Sequence, residues 1–264
     1  MAEKKKKETT RVVFQTEIAD DIYDMWIETD LATWAKPGQF ICVYPHNQST
    51  LLPRPISICE TDREREQMRI VYRAAGVGTR EFAEYHIGTS ICILGNLGNG
   101  FPLEATSQKK VVLMGGGIGI PPMLELAKRL STEGEATSVT VVLGYRNDQL
   151  FLKEELEKYA TVYVATEDGS VGTKGNVMDA VEAHQLQAEV IMACGPLPML
   201  RAIKGYAKER EIEAYLSLEE RMACGVGACL GCVCKTKEKD AHSHVKNARI
   251  CTDGPVFRAE DVEI

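Results

Sequence analysis

The sequence predicts a β-barrel followed by an α/β unit and a small C-terminal lobe. Three observations carry this. Short β-type runs without helical periodicity fill the N-terminal part, strand and helix patterns alternate from Lys109 onward, and five of the nine cysteines lie in the remainder. With 264 residues, 44% hydrophobic and 26% charged, the chain is long enough to bury two cores plus an appendage. The expected boundaries are 1–104, 105–216 and 217–264.

From Thr10 to about Leu103 the runs RVVFQTEI, YDMWIET, QFICVY, ISIC, MRIVYR and SICIL are separated by Gly, Pro and Asn. Short alternating runs bounded by turn residues read as antiparallel strands of a small barrel or sandwich. Cys42, Cys59 and Cys92 lie in apolar surroundings and read as small buried hydrophobes. The basic run Lys4 to Lys7 reads as a solvated arm.

Next come strand VVLMG, helix PMLELAKRL, strand SVTVVLGY, helix FLKEELEKY, strand TVYVAT, helix GNVMDAVEAH and EVIMAC, read as the last sheet strand. Such alternation means βαβ units and a parallel sheet. The first strand ends in Gly115-Gly116-Gly117-Ile118-Gly119-Ile120-Pro121-Pro122 and runs into a helix. Glycines there let a pyrophosphate approach the backbone, and a helix N-terminus supplies N–H groups and a positive dipole end. Proline stands where the last glycine of the full G-x-G-x-x-G fingerprint belongs, so tight packing alone is a second reading of this turn. EVIMAC ends in Cys194-Gly195-Pro196-Leu197-Pro198-Met199, another small-residue loop at the carboxyl edge where open α/β sheets bind ligands.

In the tail, Cys224, Cys229 and Cys232 fall within CGVGACLGC and Cys251 follows after an 18-residue gap. C-x4-C-x2-C…C is the spacing of plant-type [2Fe-2S] ligation, and Gly225, Gly227 and Gly231 permit tight backbone wrapping around a cluster. A structural zinc site favours two short cysteine pairs, whereas here three thiols crowd one loop. A disulfide framework suits a secreted chain, but MAEKKKKETT carries no apolar h-region, which points to the cytoplasm. Cys234 competes for the fourth position, since residues two apart on an extended segment share a face. Cys251 is the expected fourth ligand, because the turn signal Thr252-Asp253-Gly254-Pro255 behind it suits a thiolate held at a cluster's far side. His242 and His244 lie in a polar loop, read as solvent-exposed, and lack the spacing of a Rieske pair.

The net charge of −7 argues against a nucleic-acid surface, and no apolar stretch approaches a membrane span.

GGGIGIPPM followed by CGPLPML resembles the nucleotide-binding half of the ferredoxin–NADP reductase superfamily. In the barrel, Arg54-Pro55-Ile56-Ser57 is similar to that superfamily's flavin motif, and Gly76-Val77-Gly78-Thr79 to its flavin-phosphate loop. LEERMACGVGACLGCVCK, ICTDGPVF and the barrel's closing GNLGNGF extend the resemblance, over nearly the whole chain, to the electron-transfer subunits of class 1B dihydroorotate dehydrogenases. The resemblance implies FAD on the barrel at Arg54, Pro55, Ile56, Ser57, Val71, Tyr72, Arg73, Gly78 and Thr79. It implies NAD at Gly115, Gly116, Gly117, Gly119, Cys194, Gly195 and Pro196, and [2Fe-2S] at Cys224, Cys229, Cys232 and Cys251. It also implies an FMN-containing dihydroorotate dehydrogenase catalytic subunit as partner, two of each in a heterotetramer, and a place in de novo pyrimidine biosynthesis. Small subunits of ferredoxin-linked transhydrogenases share the architecture but carry aspartate where this chain has Cys224. They and a hydrogenase subunit stand as the alternative, with a zinc-stabilised nucleotide sensor outside the class.

Chemistry gives the three parts a reason to share one chain. Nicotinamide exchanges electrons in pairs as hydride, a cluster passes them singly, and a flavin handles both. Arginine forks two hydrogen bonds to phosphate, the role that suits Arg54. No residue set here suits oxidation of a carbon–carbon bond, so that site is expected on another polypeptide. Arg146 suits a 2′-phosphate while Asp148 repels one, which leaves NAD and NADP both open on residues alone.

Overall fold

In the computed structural model, which describes residues 5–239 and 244–264, six antiparallel strands close a barrel. They are β1 (Lys6–Ala19), β2 (Ile22–Glu28), β3 (Phe40–Tyr44), β4 (Arg54–Asp62), β5 (Gln67–Arg73) and β6 (Ser90–Leu97), in the order β1-β2-β5-β4-β3-β6. Side-chain alternation fills the interior: Ile91 and Ile93 of β6 are fully buried, as are Met25, Ile27, Ile41, Ile58, Met68 and Ile70. The same alternation corrects one expectation, because Cys92 between the two isoleucines faces outward and is half-buried, while Cys42 and Cys59 are fully buried. A second correction concerns the basic run. Lys6 and Lys7 are strand residues paired with Gly95 and Leu94, and Lys6 is ion-paired to Glu8 at 2.7 Å and to Asp30; Lys4 lies outside the described residues.

Helix α1 (Val77–Ala83) covers one end of the barrel and pushes Phe82, fully buried, into its core. Gln15 of β1 ends this helix by donating Nε2 to the carbonyls of Phe82, Ala83 and Tyr85 at 2.9, 3.1 and 3.0 Å. These are the orphan carbonyls that a helix C-terminus leaves behind.

The second unit runs β7 (Lys110–Gly116), α2 (Pro121–Thr132), β8 (Ser138–Tyr145), α3 (Lys153–Leu156), β9 (Thr161–Thr166), β10 (Thr173–Lys174), α4 (Val177–Ala183), β11 (Val190–Cys194), α5 (Leu197–Glu209) and β12 (Glu213–Ser217). Strand parity winds it on both faces. Val111 and Leu113 pack with Met123 and Leu126 of α2, whereas Val112 and Met114 pack with Val177 of α4 and Leu200 and Ile203 of α5. EVIMAC is therefore not the last strand, since α5 and β12 follow it and β12 pairs parallel to β11. The expected helix FLKEELEKY shrinks to one turn because Leu152 takes a left-handed φ of 64° just ahead of it.

The tail forms β13 (Val233–Thr236), β14 (Asn247–Arg249), β15 (Val256–Arg258) and β16 (Val262–Glu263). β14-β13-β16 make a small sheet of their own, while β15 joins the large sheet antiparallel to β12, completing the order β10-β9-β8-β7-β11-β12-β15. Among the described residues no helix is long and apolar enough to cross a membrane.

Where barrel and α/β unit meet, ions gather. Arg69 of β5 is a buried fork that bonds Asp24 through Nε and Nη2 at 2.9 Å each, and Glu155 of α3 at 2.5 and 3.0 Å. Lys128 of α2 reaches Glu60 at 2.8 Å, and the buried Glu125 carboxylate accepts both N–H and O–H of Thr61 at 3.0 Å.

Candidate functional site

Parallel pairing lines up the carboxyl ends of the sheet strands. The register places Gly115 opposite Leu143 on one side and Cys194 on the other, with Ser217 beyond Cys194. The glycine loop of β7 and the Cys194-Gly195-Pro196 loop of β11 are thus neighbours, as expected. Their contact is intimate. A Cβ on Gly119 would run into the Cys194 carbonyl, one on Gly116 would lie 2.5 Å from Met199 Sδ, and one on Gly195 would lie 2.7 Å from Met199 Cε. Gly116, Gly119 and Gly195 are packing glycines, in line with the tight-packing reading of this turn. Gly117, with φ +54° and open space where its Cβ would stand, is the one whose backbone faces outward. Pro121 and Pro122 open α2 and lack N–H groups, so donors for a pyrophosphate must come from the Gly116–Gly119 turn and not from the helix. That refines the helix-terminus expectation. Cys194 is half-buried; burial pushes its thiol up to about 12, against the opposing hydrogen bond with Ser217.

In the barrel, the Arg54 guanidinium lies flat on the start of α1: a Cβ on Gly78 would come within 2.8 Å of Arg54 Nε. Arg54 Nη1 also donates to the Leu52 carbonyl at 2.7 Å, which holds the fork at the barrel rim. Gly76-Val77-Gly78-Thr79 is a helix start here. The Thr79 hydroxyl accepts from Gly76 N–H at 3.0 Å and donates to the Gly76 carbonyl at 3.2 Å, so it shapes the loop. Ile56 points into the barrel core while Pro55 and Ser57 are half-buried. Tyr72 is turned inward, stacked on Tyr23 at 5.9 Å with its O–H donated to Gln15 Oε1 at 3.2 Å; Val71 packs toward Ile120. The Val71 and Tyr72 side chains are both buried, whereas the Arg73 side chain is half-exposed. β5 also lies against the Gly117–Gly119 turn, which brings the two cofactor regions together.

The cysteine loop is shaped by left-handed residues: Gly225, Gly227 and Leu230 have φ of 71°, 81° and 54°. Successive N–H groups therefore turn inward toward sulfur, an anion-binding nest. Val226 N–H donates to Cys224 Sγ and Gly231 N–H to Cys229 Sγ, each at 3.4 Å. Burial raises the Cys224 thiol, but N–H groups of Val226, Cys229 and Ala228 outweigh it and bring it down to about 6. Cys229 acts on the Cys224 thiol, and Cys232 and Cys224 both act on Cys251, so the four thiols gather in one lobe. Four gathered thiols are what a [2Fe-2S] site with four cysteine ligands asks for, and N–H donors aimed at Cys224 and Cys229 suit its negative charge, so the residues fit the group. Among the described residues no three His, Cys, Asp or Glu side chains converge closely enough to hold a single metal ion. Cys234, on β13, is half-buried and packs against the same apolar cluster that holds Cys232 and Cys251. His244 is exposed, and His242 lies outside the described residues.

Sequence reasoning missed one neighbour of the loop. Cys42, on β3 beside Pro55, approaches Gly225 so closely that a Cβ there would stand 3.0 Å from its sulfur. Burial, then the nearby Cys251, Cys224 and Cys232, push the Cys42 thiol up to about 12. Nothing in its local sequence signals this, because the contact spans the barrel and the tail.

Residues 219–263 match the family model described as "Iron-sulfur cluster binding domain of dihydroorotate dehydrogenase B", and residues 113–205 match "Oxidoreductase NAD-binding domain". A solved NADH-dependent reduced ferredoxin-NADP oxidoreductase superposes with a TM-score of 0.85 at 28% identity, covering 96% of this chain and 89% of that one. Barrel, doubly wound sheet and thiol-bearing lobe define an oxidoreductase of the ferredoxin reductase fold with an iron–sulfur lobe added. Proteins described as "Dihydroorotate dehydrogenase B (NAD(+)), electron transfer subunit" from Shouchella clausii and Listeria monocytogenes are each 43% identical, covering 98% and 96% of this chain and 99% and 98% of their own length. The chain belongs to this family of dihydroorotate dehydrogenase B electron transfer subunits.

Proposed function

We propose that the chain passes electrons taken from dihydroorotate by a separate catalytic subunit to NAD, within pyrimidine biosynthesis. When bound, the [2Fe-2S] cluster supplies single-electron carriage, FAD the exchange between single electrons and pairs, and NAD a hydride acceptor. The observation that carries the reading is the position of the cysteine loop. Its inner side rests on Cys42 of the barrel, while Cys229, Val226 and Leu230 are exposed on its outer side, so it has one face toward flavin and one toward a partner.

In this reading Cys224, Cys229, Cys232 and Cys251 hold the cluster. Arg54 pairs with the flavin phosphates above Gly78, while Pro55, Ile56, Ser57 and the backbones of Val71 and Tyr72, with Arg73, line the ring; Thr79 sets the loop through Gly76. The Gly115–Gly119 turn takes the NAD pyrophosphate, and Cys194, Gly195 and Pro196 border the nicotinamide. Segments 1–104, 105–216 and 217–264 divide the three cofactors among them. A cytoplasmic location accords with nine cysteines that are all free of disulfides.

The isolated chain should oxidise NADH with an artificial acceptor yet leave dihydroorotate untouched, and adding the catalytic subunit should restore dihydroorotate-to-NAD transfer. Rapid dihydroorotate oxidation by this chain alone would overturn the reading.

A further inference from the structure

The barrel ends in Gly95-Asn96-Leu97-Gly98-Asn99-Gly100-Phe101, and none of the cofactor roles above uses Asn99. Its carboxamide is fully committed to the far end of the chain. Nδ2 donates to the carbonyls of Asp253 and Val256 at 3.2 and 2.8 Å, Oδ1 accepts from Val256 N–H at 3.0 Å, and its own N–H donates to the Gly254 carbonyl at 2.6 Å. Asn99 satisfies both backbone groups of Val256 as a neighbouring strand residue would, which a carboxamide can do and a carboxylate, having no donor, cannot. Gly98 makes the fit possible: at φ +70° a Cβ there would stand 2.5 Å from Pro255 Cδ.

The clasped turn lies where the three parts meet. Cys251 precedes it, β15 leads from it into the large sheet, and Val256 packs in the same cluster as Val71 of the flavin-side strand. On the barrel side, Gly98 is not free to drift. The buried Gln39 donates Nε2 to the Gly98 carbonyl at 2.9 Å, and the Gln39 carbonyl accepts Ile58 N–H at 3.0 Å, just past the Arg54–Ser57 motif. A continuous chain of hydrogen bonds thus runs from flavin strand to cluster turn.

We propose that Asn99 is a positioning residue for the single-electron step: it fixes the spacing between the Cys251 side of the cluster and the flavin barrel. This rests on the electron-transfer reading above. It concerns only the transfer between those two cofactors, not the binding of either.

The test compares the full chain carrying its cofactors with Asn99→Ala and the near-isosteric Asn99→Asp. Asn99→Asp retains an acceptor for Val256 N–H but faces two carbonyls with a carboxylate; Asn99→Ala loses every side-chain bond. Val256 amide exchange should quicken in the alanine variant and stay slow in the aspartate variant. FAD and iron content, the rate at which NADH reduces flavin, and the cluster's midpoint potential should match the parent in both. Reduction of the cluster after flavin should slow in both, by up to about 100-fold, the scale of a displacement of about 1 Å between reacting centres. Parental cluster reduction in both variants would overturn the role. Loss of the cluster, a shifted potential that accounts for the slowing, or failure of both variants to fold would also overturn it, leaving Asn99 a structural fixture. A parent chain without cluster absorbance would sink the electron-transfer reading and this role together, whereas a loaded parent with indifferent variants sinks the role alone.

Discussion

The flavin barrel meets its two neighbours through unlike seams. Against the nucleotide unit the seam is ionic, with Arg69 forked between Asp24 and Glu155, Lys128 on Glu60, and Glu125 under Thr61. Against the cluster lobe it is neutral and keyed, with Asn99 on the backbone of 253–256, Gly98 against Pro255 and Gly225 against Cys42. Buried ion pairs are strong once formed, little screened by salt, and costly to leave half-made. Amide bonds to backbone are directional and short-ranged. The contrast makes the two seams separable: the nucleotide unit is held to the barrel by charge pairing, and the cluster lobe by neutral bonds to backbone.

The hardest test of this independence removes the cluster altogether. Cys251→Ser should abolish the cluster's visible absorbance and reduced-state paramagnetism and end dihydroorotate-coupled turnover, while FAD stays bound and NADH oxidation by an artificial acceptor survives. Cys234→Ser should leave both cofactors in place. Loss of flavin along with the cluster would show that the seams are coupled.

Cutting the ionic seam comes next. Arg69→Met strands a buried Asp24 and a partly buried Glu155, and breaking a buried pair costs about 3–5 kcal/mol. Denaturant unfolding should show that loss, and flavin reduction by NADH should slow with the cluster spectrum unchanged; an unaltered unfolding curve would mean the fork is idle. Arg54→Ala, which touches neither seam, should weaken FAD retention by about 1.5–3 kcal/mol, the scale of a charged hydrogen bond. Equal FAD content after dialysis would remove Arg54 from the flavin site.

The smallest effect belongs to Glu125. Burial raises its carboxyl above 4.5, although Thr61, Lys128 and Arg129 all pull it down. The folded chain therefore holds this proton to higher pH than the unfolded chain does, and stability falls as pH rises from the ordinary glutamate value through the raised one, then levels. Glu125→Gln keeps an acceptor for Thr61 and should erase that slope in denaturant midpoints taken from weakly acidic to neutral pH. A slope that persists would place its origin in another group.

Much of this was legible in the sequence wherever local pattern decides. All six barrel strands fall on the runs read from alternation, and GGGIG and CGP do meet at one sheet edge. Elements set by tertiary pairing were not legible. β15 spans only Val256–Arg258 and is a strand because β12 lies beside it, and α5 hides behind Pro196 and Pro198, which read as loop punctuation although proline suits a helix's first turn. Site residues divided in the same way. The four cysteines stand out by type and spacing and Arg54 by a family resemblance, but Cys42 and Asn99 are ordinary letters whose partners lie across the chain. Tyr72, placed beside the flavin by resemblance alone, packs its side chain in the barrel core.

One consequence of β15 concerns the lifetime of the apo state. Because β12 and β15 are adjacent antiparallel strands, joined further by Leu218 N–H donating to the Pro255 carbonyl at 2.8 Å, the bight that carries the cysteines is tied at Leu218 and Pro255. Stripping iron from that bight does not untie its ends. The thiols stay corralled within one closed loop, whose closure entropy grows by only about 0.6 kcal/mol per doubling of length. An emptied protein should thus wait in a state ready for reloading.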